Sequence, residues 1–204
     1  MSVRKGPALS SVKLRSSPNI SGLQPDIQAT VGDVRSLDSV ARLVERAKDG
    51  DKDAFGQIFR LHRDAILRFA RLRLGAEADD VVSEVFTRAW VTLNRYEYTG
   101  LPFAAWLYGI ARHVVADELS RQSRTQPQAD LPESLSRWAE DDRLALSAAI
   151  DQLPTEQRQV IEMKYFMGMR NPEVADVLHT TVNAVNARQW RALAALRDHL
   201  EETS

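Results

Sequence analysis

Cysteine is absent from the 204 residues of this sequence. Disulfides, thiolate nucleophiles and cysteine-ligated metals are therefore excluded, and the four histidines (His62, His113, His179, His199) are too scattered to suggest a metal site. The sequence also lacks an apolar run long enough to span a bilayer, and its first residues lack the apolar stretch of a secretion signal. We therefore expect a cytoplasmic protein without membrane insertion.

An excess of positive charge is also missing. The sequence has 27 Lys and Arg against 28 Asp and Glu, which gives a net charge of −1. This balance argues against a free-standing protein that holds DNA by bulk electrostatic attraction. If the chain binds DNA, another molecule must contribute to the binding.

The spacing of apolar residues predicts an all-α protein with two small helical domains, because strand-like alternation occurs nowhere. Residues 1–35 are rich in Ser, Pro and Gly and are expected to form a flexible N-terminal extension. Residues 36–121 form the first domain, and residues 143–204 form the second. The polar, acidic stretch between them, residues 122–142, is expected to be a flexible linker.

Capping residues mark the helices of the first domain. Asp51 or Asp53 can cap a helix that should end at Gly75, because glycine readily leaves the helical conformation. A third helix is predicted over residues 78–95, and a fourth runs from residue 102 to beyond residue 119.

Residues 171–197 have the pattern of a helix-turn-helix. Asn171 can cap a short helix with Pro172 at its first position, and Thr181 can cap a longer helix after a break at residues 178–181. The residues of the longer helix that should face inward are Val182, Val185, Ala192, Leu193 and Leu196.

The opposite face of the longer helix carries amide and guanidinium groups. Asn and Arg are suited to reading adenine and guanine edges, and the amides at a helix start can hold a phosphate. Asn186 and Arg188 are expected near bases, and Arg191 near the DNA backbone. An ordinary helical hairpin with a solvated polar face stays open as the alternative. The candidate DNA-contacting residues are Thr181, Asn183, Ala184, Asn186, Arg188 and Arg191.

Three segments together resemble a known family. They are residues 78–90 (ADDVVSEVFTRAW), residues 102–113 (PFAAWLYGIARH) with Asp117, and residues 153–158 (LPTEQR), which lead into the helix-turn-helix. In this order, over residues 40–200, the sequence resembles an extracytoplasmic-function (ECF, group IV) sigma factor of bacterial RNA polymerase. The resemblance implies a promoter-specificity subunit without a cofactor, a metal or a catalytic residue.

The resemblance also implies the partners. The first domain would bind core RNA polymerase and the minus-ten element, and the second domain the minus-thirty-five element of promoter DNA. On the polymerase, the partners would be the coiled-coil of the largest subunit and the flap region. Asp79, Asp80, Glu84 and Arg88 would contact the polymerase, although the first two also complement the helix dipole. An anti-sigma factor is an expected further partner.

Promoter opening requires unstacked bases to be captured, which suits aromatic side chains on a loop beside a basic helix. The helical spacing of Trp106 with Phe103 and Ile110 favours a core position over a DNA-facing one. Asp117 is expected to pair with Arg121 one turn along. The candidate residues for minus-ten DNA are Tyr96, Tyr98, Arg112, His113 and Arg121.

The sequence departs from the family pattern at three positions. His113 replaces the usual Asn, His179 the usual Gly of the turn, and Asn186 a common Lys. These changes bear on promoter sequence rather than on fold, because His can adopt a left-handed turn conformation. Two other classes stay open: a stand-alone helix-turn-helix regulator that binds duplex DNA as a dimer, and a helical adaptor that binds only protein.

Overall fold

The computed structural model of the chain describes residues 33–124 and 136–203. All regular secondary structure in these two ranges is helical, which confirms the predicted fold class. No helix within them has the length and apolarity needed to cross a bilayer. The α-helices are α1 (Asp33–Lys48), α2 (Lys52–Leu74), α3 (Ala78–Thr92), α4 (Phe103–Gln122), α5 (Ser136–Gln152), α6 (Thr155–Ile161), α7 (Asn171–Val177) and α8 (Val182–Thr203).

Parts of the predicted extension and linker lie outside the described residues. Residues 1–32 and 125–135 belong to this group, so the structure does not describe them. At the edges of these segments the helices reach further than predicted. Helix α1 begins at Asp33, inside the predicted extension, and helix α5 begins at Ser136, so residues 136–142 of the predicted linker are helical.

The capping residues act as predicted in the first domain. The Asp51 side chain accepts hydrogen bonds from the backbone N–H groups of Asp53 and Ala54, both at 3.0 Å, and so caps α2. Gly75 ends the helix with φ +57°, in the left-handed region that glycine adopts most easily. Two short turns, Gly75–Glu77 and Leu93–Arg95, flank α3 and set its direction.

The first domain is closed by aromatic packing where α3 leads into α4. The ring centroids of Tyr96 and Phe103 are 5.2 Å apart, and that of Trp106 lies 5.1 Å from both. Trp106 is therefore part of the packing of this domain, as its spacing indicated. Such aromatic pairs stabilise a fold beyond their buried area, because their edges and faces carry opposite partial charges.

In the second domain α7 and α8 are joined by a tight turn, with His179 at φ +49°. Thr181 caps α8 as predicted, because its hydroxyl accepts from the Ala184 N–H at 3.2 Å. The prediction that Asn171 caps α7 is wrong. Arg170 holds the cap position, and its backbone N–H donates to the Glu173 carboxylate at 2.8 Å.

The inward face of α8 is narrower than predicted. Val185, Ala192 and Leu196 are buried, whereas Val182 and Leu193 are exposed. Successive helical residues point about 100° apart, so Leu193 turns away from the core line that Ala192 follows. The two inward assignments at Val182 and Leu193 are therefore wrong.

His62 is an unusual member of the first domain. Its ring lies against Phe103, with 5.8 Å between the centroids, and its Nε2 is buried and makes no hydrogen bond among the described residues. Burial lowers the pKa of His62 from an ordinary 6.5 to about 4. The folded state therefore binds fewer protons than the unfolded chain between these two pH values.

This difference predicts a pH-dependent stability. The free energy of unfolding that depends on neutral His62 is fully present above the unfolded pKa and is lost as pH falls towards 4. Between about pH 7 and about pH 5, His62→Leu should remove about 2 kcal/mol of the loss seen in the wild type. Urea unfolding at both pH values measures this, with the exposed His113→Gln as control. Equal losses in wild type and His62→Leu would contradict the assignment.

Candidate functional site

Helix α3 separates an apolar face from a charged one. Its inward side chains are buried in the first domain, and the predicted polymerase-contacting residues lie off that stripe. Asp79, Asp80 and Glu84 are exposed, and Arg88 lies at the edge of the same surface. The structure thus brings together the four charged residues that the sequence singled out; we call this surface the α3 charged face. The buried residues of α3 are Ala78, Val81, Val82, Val85, Phe86 and Ala89.

The α3 charged face is crossed by ion pairs. Arg88 donates to Glu84 at 2.6 Å and to Asp117 of α4 at 3.1 Å, and these two hydrogen bonds raise the pKa of Arg88. Asp117 therefore pairs with Arg88 and not with Arg121 as predicted. Arg121 instead pairs with Glu118 at 2.8 Å. The packing of α3 beside α4 brings Arg88 within reach of Asp117, a long-range proximity that spacing within one helix does not reveal.

The arginines of α2 extend this network. Asp79 accepts from Arg63 at 3.4 Å and from Arg71 at 3.5 Å. Exposed pairs of this kind contribute less than about 1 kcal/mol each, so a partner with matching charges can replace them at little cost.

The two tyrosines of the loop before α4 have different environments. Tyr98 is 67% exposed, whereas Tyr96 is only 9% exposed because its ring packs against Phe103 and Trp106. Burial raises the pKa of Tyr96. The predicted base contact at Tyr96 is therefore not available in this structure, since burying the ring stabilises the aromatic cluster. Tyr98 keeps a free face.

The basic residues of α4 do not form a single surface. Arg112 and His113 are adjacent and exposed; the Arg112 guanidinium lies 5.7 Å from the centre of the Tyr108 ring, and His113 Nδ1 lies 2.7 Å from the Gly109 carbonyl oxygen. Arg121 is nine residues further on, about half a turn out of phase with Arg112. It therefore faces another side of the helix, contrary to the predicted grouping.

Helix α8 presents most of the predicted DNA-contacting residues to solvent. Thr181, Asn183, Asn186 and Arg191 are exposed, and Ala184 is half-buried. Asn183 and Asn186 lie in the first turns of the helix, beside its uncapped amides. This end of α8 has the donors and acceptors that groove recognition needs.

Arg188 is in a different position from its neighbours. Its side chain is partly covered and forms an ion pair with Glu156 of α6 at 2.6 Å. A guanidinium held in this way is directed toward its own domain. Sequence reasoning missed Glu156, because it lies far from Arg188 in the chain and only the packing of α6 on α8 joins them.

A chain of amides links α7 to α8, and sequence reasoning missed it too. Asn171 donates to Asn186 at 2.5 Å and to Gln189 at 3.2 Å, and Gln189 donates to the Tyr165 hydroxyl at 2.9 Å. Lys164 completes the network by donating to Asn171 at 2.6 Å. The spacing of Asn186 and Gln189, three residues apart on one helix, was the available signal. These bonds fix Asn186 at the position from which it faces solvent.

Comparison with known proteins adds to this geometry. The family model for sigma-70 region 2 matches residues 58–125, which hold the α3 charged face and the loop. The family model for sigma-70 region 4 matches residues 143–196, which hold α7 and most of α8. The two regions occur in the same order as the two groups of candidate residues.

Individual relatives agree over most of the chain. SigD, an ECF RNA polymerase sigma factor of Mycobacterium tuberculosis, is 33% identical over 180 residues, covering 80% of this chain and 84% of SigD. SigW of Bacillus subtilis, another ECF sigma factor, is 29% identical, covering 80% of this chain and 97% of SigW.

Solved structures carry the similarity into three dimensions. CnrH in complex with the cytosolic domain of CnrY matches with a TM-score of 0.61 at 30% identity, covering 81% of this chain and 99% of the matched chain. Sequence, fold and the order of the two regions thus agree, and the chain belongs to the family of ECF RNA polymerase sigma factors.

Proposed function

We propose that this sigma factor directs core RNA polymerase to specific promoters and assists their opening, as a binding subunit without catalysis of its own. The proposal rests on one observation: a single chain carries an exposed charged face in its region 2 and an exposed amide-rich helix start in its region 4. With a net charge of −1, such a chain depends on the polymerase for most of its hold on DNA.

The α3 charged face is the proposed contact with core polymerase. Its partner would be the coiled-coil of the largest subunit, which replaces the weak ion pairs at Asp79 and Arg88 with its own charges. Asp80 and Glu84 project from the same face and would set the register of the complex. Charge complementarity of this kind determines specificity and the association rate.

Tyr98 is the proposed base-contacting aromatic of the minus-ten element. It is exposed on the loop before α4, while Tyr96 supports the loop from below through its packing on Phe103 and Trp106. Arg112 and His113 are the proposed backbone or base contacts beside it. An aromatic face held above a rigid cluster can stack on an unstacked base at a low entropic cost.

The start of α8 is the proposed reader of the minus-thirty-five element. Asn183 and Asn186 would meet base edges, and the backbone amides of the first turn would hold a phosphate. Arg191, further along the helix, would contact the DNA backbone. Arg188 can join them only after its ion pair with Glu156 opens.

An anti-sigma factor acting in the cytoplasm is the proposed regulator. CnrH, which shares this fold, was solved with the cytosolic domain of CnrY bound to it. A protein partner of the same kind would cover the exposed surfaces of this chain. A stand-alone dimeric regulator is the less favoured function, because the region 2 surface has no role in it.

Charge reversal tests the polymerase contact. Asp80→Lys with Glu84→Lys should weaken association with core polymerase by about 2 to 3 kcal/mol, through like-charge repulsion at the coiled-coil. The control, Glu45→Lys with Asp49→Lys, makes the same charge change at the same spacing on another exposed surface and should bind as the wild type does. Titration of labelled core measures both. A folded α3 variant with wild-type affinity would show that this face is not the contact.

Alanine substitutions on α8 separate base reading from backbone contact. Asn186→Ala should cost about 1–3 kcal/mol at the preferred minus-thirty-five sequence and relax discrimination there. Arg191→Ala should weaken all sequences nearly equally and reduce the salt dependence by about one phosphate. Holoenzyme binding to single-base promoter variants at several salt concentrations measures both.

Asn171→Ala is the matched control for Asn186. It removes the partner of Asn186 within the protein but keeps the Asn186 amide that would meet the base. Sequence preference should therefore survive in Asn171→Ala. Loss of preference in that variant, or its retention in Asn186→Ala, would count against reading by Asn186.

A further inference from the structure

A carboxylate is buried where the two domains meet. Glu162, in the π-helical turn Glu162–Phe166 after α6, has a side chain that is only 5% exposed. Arg73 of α2 donates to it at 2.8 Å, and the Tyr108 hydroxyl of α4 donates at 2.5 Å. Burial, with the nearby Glu162 carboxylate as a further cause, raises the pKa of Tyr108 and keeps its hydroxyl protonated.

Other polar contacts cross the same interface. Arg73 also pairs with Asp151 of α5, and Arg143 of α5 donates to the Leu72 carbonyl oxygen at 2.7 Å, at the end of α2. Arg68 donates to the Phe166 carbonyl oxygen at 3.3 Å. The donors all lie on one domain and the acceptors on the other, so these bonds form only when the domains are together.

An interface of this kind favours one arrangement without making it permanent. Burying an ion pair costs much of what the attraction between the charges gains, so it adds little net stability compared with apolar packing. Removing one partner is costly, because the other charge then stays buried and unpaired. On opening, however, both charges regain water, and the closed state is therefore specific and reversible.

The closed arrangement brings the two proposed DNA readers into one corner of the molecule. A cleft of about 460 Å³ separates the loop before α4 from the turn of the helix-turn-helix, with Thr99 and Leu101 on one wall and His179 and Thr180 on the other. The minus-ten and minus-thirty-five elements lie about 25 base pairs apart, or about 85 Å along B-form DNA at 3.4 Å per base pair. A compact chain of this length has a radius of gyration of about 17 Å.

We propose that Glu162, bound by Arg73 and Tyr108, is the latch of a closed state that must open before the two domains occupy both promoter elements. This inference rests on the proposed function for the need to open. The latch itself rests only on the interdomain contacts, because the two readers cannot span a promoter while they hold.

The absence of cysteine allows a direct test. Cysteines introduced at Asp64 and Glu201, both exposed and on different domains, carry a donor and an acceptor dye. The wild-type distance should be short in the free protein and long after core polymerase is added. Glu162→Gln should increase the open fraction of the free protein at least about tenfold, because Arg73 loses its charged partner. Glu45→Gln, the same change in an exposed pair within α1, should leave the distance unaltered.

Tyr108→Phe gives a milder second variant, since it removes only one hydrogen bond, and it decides the question if Glu162→Gln does not fold. Its open fraction should rise about three- to tenfold. An extended wild-type chain, or a folded latch variant with the wild-type distance, would overturn the proposal. Transcription by core with the wild-type protein is measured separately. Its absence would refute the proposed function while a distance that depends on Glu162 would still establish the latch.

Discussion

The ion pair between Arg73 and Glu162 fixes how the two helical domains sit, because each charge needs the other once water is excluded. Helix α2 carries this arginine near its end and also contributes Leu72 to the core of the second domain. One helix thus belongs to both cores, and the positions of the α3 charged face and the α8 start follow from it. Every proposed DNA or polymerase contact in the described residues is placed by this arrangement.

Charge sets the second constraint. A chain with net charge −1 cannot gather enough phosphate contacts to hold a promoter alone, so a few well-placed groups must supply specificity while the polymerase supplies affinity. The amide network from Lys164 through Asn171 to Asn186 serves this end, since it fixes one reader without adding charge. The weak pairs on the α3 charged face serve it too, because they can be exchanged for contacts with a partner.

Local features of this fold could be predicted from sequence, and long-range ones could not. The caps at Asp51, Gly75 and Thr181 depend on a few neighbouring residues and were correct. The burial of Tyr96 and the ion pair from Arg188 to Glu156 depend on how separate helices pack, and no spacing within one helix encodes it. The candidate residues were located correctly on their elements, but which of them face solvent was decided by tertiary contacts.

The central claim is that the chain recognises a promoter only as part of the polymerase. Selection from a random-sequence DNA pool at physiological salt tests it, with the free protein, core polymerase, and the two together run side by side. The account predicts that a two-part sequence with a fixed spacing is enriched only when both are present. Enrichment of a specific, palindromic sequence by the free protein alone would contradict it and would indicate a stand-alone dimeric regulator.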